Sequence, residues 1–457
     1  MDKRFPLEDQ IEMLASALRG RVVTPGSPDY DGLRIVALAN FDKTPAAVIR
    51  VATAADIAAV INFARATDLE LAVRSGGHSV GGFSGSNGGL VIDLRDLTGI
   101  DIDHAGRTGW FGTGLNAGAV TAALEPHGLI LPLGDSGTVG LGGITLGGGI
   151  GYLVRKHGLT IDSLLAAEIV TADGDILVAD AEHHSDLFWA LRGGGGNFGV
   201  VTRFRFRLHA LPSFVGGPLI LPATPEVLAG FVAAAEAAPD ELTAIVNLMP
   251  APPLPFIPPH VHGQLVLMGM MAHAGDAEAA ARALAPFRAL APAIADLVGP
   301  APLSSLYIPE DPNLRPAVTT RALYMDTVGL ADARTLIEHL GRTDAPMFIG
   351  QVRVLGGAAA RVPVGDTAYA HRRSRILVGL LAMYGGPTEP HERWASAGIA
   401  ALRQHDAGAY VNFVSNEGPE RLRAAYPGPT WDRLRQVKAK YDPENLFRLN
   451  QNIPPAA

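Results

Sequence analysis

From residue 46 onward the apolar positions fall into short runs separated by polar turns, and the spacing within the runs switches between two periods. Residues 46–51 are apolar and β-prone, Thr53 is placed to cap a helix over residues 54–66, and Leu71–Arg74 is a second short strand. That order predicts a β-α-β unit whose second strand runs into Ser75-Gly76-Gly77-His78-Ser79. Strand-like pieces follow at residues 90–94, 100–103 and 108–111, and a short helix is expected over residues 116–124, stopping near Gly128. A helix over residues 186–191 and an alternating strand over residues 200–208 complete a first region of mixed α+β character.

Past Leu211-Pro212 the texture shifts. Pro250, Pro252, Pro253, Pro255, Pro258 and Pro259 interrupt one stretch, an alanine-rich helix is expected around residues 277–290, and strands such as residues 264–271 and 347–355 alternate with helices. Residues 409–414 read as a strand, residues 431–441 as a helix and residues 442–455 as a tail. The expected division is residues 1–211, an inserted region over residues 212–405, and a closing segment over residues 406–457.

Glycine then changes the picture. It is dense between residues 134 and 151 and again between residues 193 and 199, where so much of it weakens regular structure and points to backbone packed closely on something flat or bulky. In the first loop Ser75, Ser79 and the free amides of the glycines are suited to hold a pyrophosphate.

Composition narrows the classes. The 457 residues allow two or three domains; 48% are hydrophobic and 18% charged, which excludes extended disorder. A net charge of -8 without a long block of either sign argues against a nucleic-acid partner. There is no cysteine, hence no disulfide, thiolate metal site or cysteine nucleophile. Residues 1–20 alternate charged and apolar positions as an amphipathic helix does, without the apolar core of a signal peptide, and the apolar run over residues 376–384 is too short to span a bilayer. A cytoplasmic protein with no membrane partner is expected.

Several motifs carry two readings. Gly194-Gly195-Gly196-Asn197-Phe198-Gly199 is spelled like a dinucleotide fingerprint but follows a helix and opens a strand, the reverse of what that site requires. Gly134-Asp135-Ser136-Gly137 is spelled like a serine-protease nucleophile loop, and His78, Asp93 and Ser136 fall in the His, Asp, Ser order, although the loop continues Thr138-Val139. His183-His184 reads as a solvated helix start. His260 and His262 would share one face of a strand, without an evident third metal ligand, and no metal site is expected. Gln351 and Arg353 alternate with Val352 and Val354, so both project to one face, either a pocket wall or the solvent side of a sheet.

Four blocks in order along nearly the whole chain carry a resemblance. They are the Arg74-Ser75-Gly76-Gly77-His78-Ser79 loop, the glycine-dense residues 134–151, the run from Asp186-Leu187-Phe188-Trp189 through Gly199-Val200-Val201-Thr202, and the tail from Tyr441-Asp442-Pro443-Glu444-Asn445 through Asn450-Gln451-Asn452-Ile453-Pro454-Pro455. Together they resemble the berberine-bridge-enzyme-like FAD-linked oxidoreductases of the vanillyl-alcohol-oxidase superfamily. The resemblance implies an α+β fold: a two-part FAD-binding domain, of the PCMH type, with an inserted antiparallel-sheet substrate domain covered by helices. It implies that His78 carries the flavin and that Arg74, Ser75, Gly76, Gly77, Ser79, Val80, Ser136, Gly137, Thr138, Val139, Gly140, Gly142, Gly143, Gly147, Gly199, Val200, Val201, Asn450 and Asn452 surround it.

Many relatives attach the flavin a second time through a cysteine where this chain has Ser136. A hydroxyl does not readily replace a thiolate nucleophile, so a single histidyl link is expected, as in bacterial hydroxynicotine-oxidase-like members. Tyr410 and Asn412 are similar to the family's catalytic tyrosine strand, and a tyrosine base would need a depressed pKa, with Arg353 as one candidate cation. Gln351 and Arg353 are expected in the substrate pocket. Val139 resembles the small residue that lets oxygen approach, which implies O₂ as acceptor. The function expected is an FAD-dependent oxidase of a small-molecule alcohol, sugar or cyclic amine. The alternatives are a dehydrogenase with another acceptor or a non-catalytic flavin-containing drug-binding protein.

Overall fold

The computed structural model describes residues 5–309, 311, 314–405 and 408–457. Position 406, where the closing segment was expected to begin, lies outside them, as do residues 1–4 of the expected amphipathic N-terminus; its helix runs over Leu7–Ala17.

The helix expected after Thr53 forms over Ala54–Thr67. The Thr53 hydroxyl accepts from the Asp56 amide at 3.1 Å while the Asp56 carboxylate accepts from Ala52, Thr53, Arg19 and Gly20, a reciprocal cap extended to a distant turn. The flanking strands Ala47–Arg50 and Leu71–Arg74 are both parallel to Leu90–Asp93, which lies between them, and Arg21–Val23 joins the outer edge antiparallel. A second, antiparallel sheet has the order Ile100–Asp103, Thr108–Gly112, Val200–Arg207, Leu164–Val170, Ile176–Asp180. Val170 and Val200 from this sheet share a core with Ile57, Val60 and Ile61 of the helix, which joins the two sheets.

Residues 215–384 supply an eight-stranded antiparallel sheet, centred on Leu242–Pro250, Met347–Val354, Ile376–Tyr384 and Ala317–Met325. One face is sealed by the helices Pro225–Ala237, Ala277–Arg288, Leu330–Leu340 and Glu389–Leu402, whose Phe231, Phe287, Leu336 and Trp394 pack on Val352, Val354, Val378 and Leu380. The molecule is thus α+β with a large antiparallel sheet covered by helices. The C-terminal helix Pro429–Tyr441 packs against Ser185–Leu191. Its Lys438 is sealed from solvent, donating to Asp442 at 2.6 Å and to the carbonyls of Asn197 at 2.8 Å and Phe447 at 2.9 Å, which pins the tail to the second glycine cluster.

One local expectation fails here. His260 and His262 do not share a strand: Pro258 and Pro259 deny the ladder its donors, residues Pro259–Val261 form a 3-10 turn, and a His262 ring nitrogen meets the Ile257 carbonyl at 2.9 Å. No cluster of three metal-ligating side chains exists among the described residues. Nor does any helix among the described residues reach the length and apolarity needed to cross a membrane.

Candidate active site

Strand Leu71–Arg74 ends in a loop whose Gly77 adopts φ 79°, a left-handed turn that presents His78 to the interior. Arg74 belongs beneath this loop and not among its ligands. Its guanidinium, 2% exposed, donates to the carbonyls of Leu33 at 2.5 Å and of Arg34 and Ile35 at 3.2 Å, and pairs with Asp93 at 2.8 Å. Burial alone would raise the Asp93 carboxyl, but Arg95 and Arg74 outweigh it and hold the group below the usual carboxylate range. Asp93 is therefore consumed by two arginines and does not orient His78, which removes the hydrolase reading.

The two glycine loops touch backbone to backbone. A Cβ on Gly140 would stand 2.1 Å from the Gly76 nitrogen, and one on Gly76 would stand 2.3 Å from that of Gly140. Ser75 stitches them together, its hydroxyl donating to Thr113 O at 2.6 Å and accepting from the Gly142 amide at 3.2 Å.

Between these loops and the free face of the large sheet lies a cavity of about 590 Å³. Its walls include Ser75, Gly76, Gly77, His78, Ser79 and Val80, then Ser136, Val139, Gly140, Gly142 and Gly143, then Gly199, Val200, Val201 and Asn450. Gln351, Arg353, Tyr410 and Asn412 line the same space. Of the expected ligands, Arg74, Gly137, Thr138, Gly147 and Asn452 stand behind that wall. Thr138 meets the Ser136 hydroxyl at 3.1 Å, Gly137 lies on Tyr307, and Gly147 leaves room for Asn412, whose Oδ1 would be 2.0 Å from a Cβ there.

The walls fit the dinucleotide that the resemblance implies. A side chain at Gly143 or Gly196, both on the wall, would point into open space, so their bareness keeps volume for a bulky group. At the tail, the Asn450 amide donates to the carbonyls of Gly196 and Phe447 at 3.0 Å, while its Oδ1, and that of Asn452, are buried without a protein donor.

At the sheet end the polar groups form a chain. Gln351 Nε2 donates to Asn247 Oδ1 at 2.8 Å, Arg353 Nε donates to Gln351 Oε1 at 2.7 Å, and the Arg353 guanidinium reaches Ile150 O at 3.2 Å and Asp135 Oδ2 at 2.8 Å. The pocket-wall reading of Gln351 and Arg353 is the one realised. Residues 409–414 do not form a strand. Tyr410 is extended, and Val411–Phe413 form a 3-10 turn, with the Phe413 amide donating to the Tyr410 carbonyl at 2.8 Å and the Val414 amide to the Val411 carbonyl at 3.1 Å, while the adjacent strand Ala317–Met325 reaches the segment through the Tyr324 amide on the Gly408 carbonyl at 3.3 Å. The two side chains still meet: the Tyr410 oxygen accepts from Asn412 Nδ2 at 2.9 Å and from the Gly149 amide at 3.0 Å. Gly149 reaches that position with φ 84°.

The depressed pKa that a tyrosine base would need is not found at Tyr410. Burial pushes the phenol up, and the Gly149 amide, Asn412 and Arg353 only partly oppose it. Tyr410 is accordingly a neutral phenol with its oxygen occupied by two donors and its hydrogen left to give. Asp135, Gly149 and Phe413, whose ring lies on the cavity wall with the Arg353 guanidinium 5.1 Å from its centroid, are the participants that sequence reasoning missed; the signal for Asp135 was its standing as the one charged residue within residues 134–151.

Comparison with known proteins bears on this geometry. The family described as FAD binding domain matches residues 45–180, and the one described as berberine and berberine like matches residues 409–454. The chain is 31% identical to the FAD-linked oxidoreductase YvdP of Bacillus subtilis (strain 168), over 97% of this chain and 100% of that one. It is 28% identical to (R)-6-hydroxynicotine oxidase of Paenarthrobacter nicotinovorans, over 96% of this chain and 97% of that one. The fold is similar to that of crystalline 6-hydroxy-D-nicotine oxidase from Arthrobacter nicotinovorans, with a TM-score of 0.85, 26% identity, and 96% and 98% of the two chains covered. The two glycine loops, the tail pinned beside them and relatives matching from end to end lead to one assignment: this chain belongs to the berberine-bridge-enzyme-like FAD-linked oxidoreductases.

Proposed function

We propose that this protein is an oxidase that removes hydride from a C–H beside the nitrogen or oxygen of a small, weakly polar amine or alcohol, with O₂ as the final acceptor. Bound FAD supplies the hydride acceptor. His78 would hold it covalently, and Ser136 offers no thiolate for a second link. The carrying observation is the state of Tyr410: a neutral, buried phenol saturated as an acceptor is a hydrogen-bond donor, and it suits a substrate that arrives with a lone pair already free. On the sheet wall of the same cavity Ile349, Leu381 and Met383 add apolar surface, which favours a compact ring over a sugar chain with many hydroxyls to satisfy. Similarity to a protein named as a hydroxynicotine oxidase along most of the chain supports both the amine class and the oxidase reading.

Anaerobic mixing with cyclic amines, benzylic alcohols and oligosaccharides tests this. The flavin should bleach with a member of the first two classes and recover with release of hydrogen peroxide when air is admitted. Turnover only with an artificial acceptor would replace the oxidase by a dehydrogenase. Acid-denatured protein should retain flavin fluorescence on the polypeptide, and His78→Ala should lose it.

A further inference from the structure

We infer that Asp135 is a specificity-determining residue that makes the substrate end of the cavity select uncharged ligands. Among the described residues of the wall, Asp135 and Arg353 are the only acid and the only lysine or arginine, and they pair with each other at 2.8 Å across two different parts of the fold. Arg353 is 5% exposed and is further held by Gln351 and the Ile150 carbonyl, so its position is fixed from three sides. A guanidinium in such a place is the natural anchor for a substrate carboxylate. Here its charge is already balanced, and a second carboxylate would set two anions on one buried cation with the desolvation cost of both. A cationic ligand fares no better, because Asp135 is balanced in turn. The pair leaves polar shape in the pocket without net charge. This rests on the reading of the cavity as the substrate site, and it adds the charge class that the site admits.

Anaerobic isothermal titration of the purified flavin-containing protein, its flavin reduced beforehand with dithionite so that it accepts no hydride, with benzoate, benzyl alcohol and benzylammonium tests the inference without turnover. Wild-type protein should bind benzyl alcohol and exclude benzoate. Asp135→Asn, which keeps a hydrogen-bond acceptor for Arg353 while removing the balancing charge, should gain at least about tenfold in benzoate affinity. Asp135→Glu should restore exclusion, and Asp135→Asn combined with Arg353→Met should abolish the gain. Benzoate binding to wild type as tight as to Asp135→Asn, or a gain that survives loss of Arg353, would overturn the assignment. Should Asp135→Asn fail to fold, Arg353→Met alone decides, since it leaves Asp135 unbalanced and should raise the preference for benzylammonium over benzyl alcohol at least about tenfold; an unchanged preference sinks the inference. Failure of the oxidase reading looks different: the probes bind in the stated order, yet no neutral amine or alcohol bleaches the flavin.

Discussion

A buried phenol that accepts two hydrogen bonds has its proton left to offer, and Tyr410, 3% exposed, is in that condition. Tyr410→Phe removes the donated bond, worth about 1.5 kcal/mol, and also takes the acceptor from the Gly149 amide and Asn412, so kcat/KM should fall by at least roughly tenfold. For an amine substrate the acid limb of the pH profile should follow the amine's own pKa and persist in Tyr410→Phe; its disappearance would make the phenol a base after all. His157 and His209, stacked at 4.2 Å, give a second residue-scale effect. Burial is the main cause that pushes their pKa values down, to about 3 and about 4, from an ordinary 6.5. The folded state therefore resists protonation that the unfolded chain accepts, so the stability these rings support is complete above pH 6.5 and is lost as pH falls toward 4. Thermal melts across that window should show a steep decline that His209→Asn flattens. At this scale the sequence revealed residue types but not their partners. Arg74, heading a glycine loop, looks like an anion ligand until the carbonyls of residues 33–35, far away in the chain, are seen to consume it.

Elements were legible where local chemistry decides them. Thr53 announces the helix Ala54–Thr67 because an N-cap hydroxyl acts on an amide only three residues on; Asp56, which completes the cap, was seen only in the structure. Thr53→Ala should cost about 1 kcal/mol in urea unfolding. Asp56→Ala should cost more, because its carboxylate also satisfies the amides of Arg19 and Gly20. Burial raises the Asp56 carboxyl, but its backbone donors win and hold it low, so this contribution is present at neutral pH and disappears on acidification through the carboxylate range. Residues 409–414 were misread for the opposite reason. Their composition suits a strand, but whether a segment joins a ladder is decided by tertiary packing, and here the Phe413 and Val414 amides close local turns instead.

The arrangement of the whole molecule was the least accessible from sequence. Nothing local shows that Leu90–Asp93 inserts between two strands that precede it, or that Asp135 meets Arg353 across 218 positions of chain. The resemblance supplied the global plan; the ion pair, the raised phenol and the open space beside Gly143 and Gly196 required coordinates. The large sheet separates two jobs along each central strand. In Ile376–Tyr384, Val378, Leu380 and Ala382 enter the helix-covered core while Gly379, Leu381 and Met383 line the cavity, and Met347–Val354 divides in the same way. Leu380→Ala should cost about 2–5 kcal/mol in unfolding free energy with KM little changed, whereas Leu381→Ala should move KM and leave the melting temperature nearly intact. Alternate codons of one strand thus form two independent mutational channels. New substrate ranges are reachable by drifting the cavity-facing set alone, and the fold does not have to be re-evolved each time the chemistry is redirected.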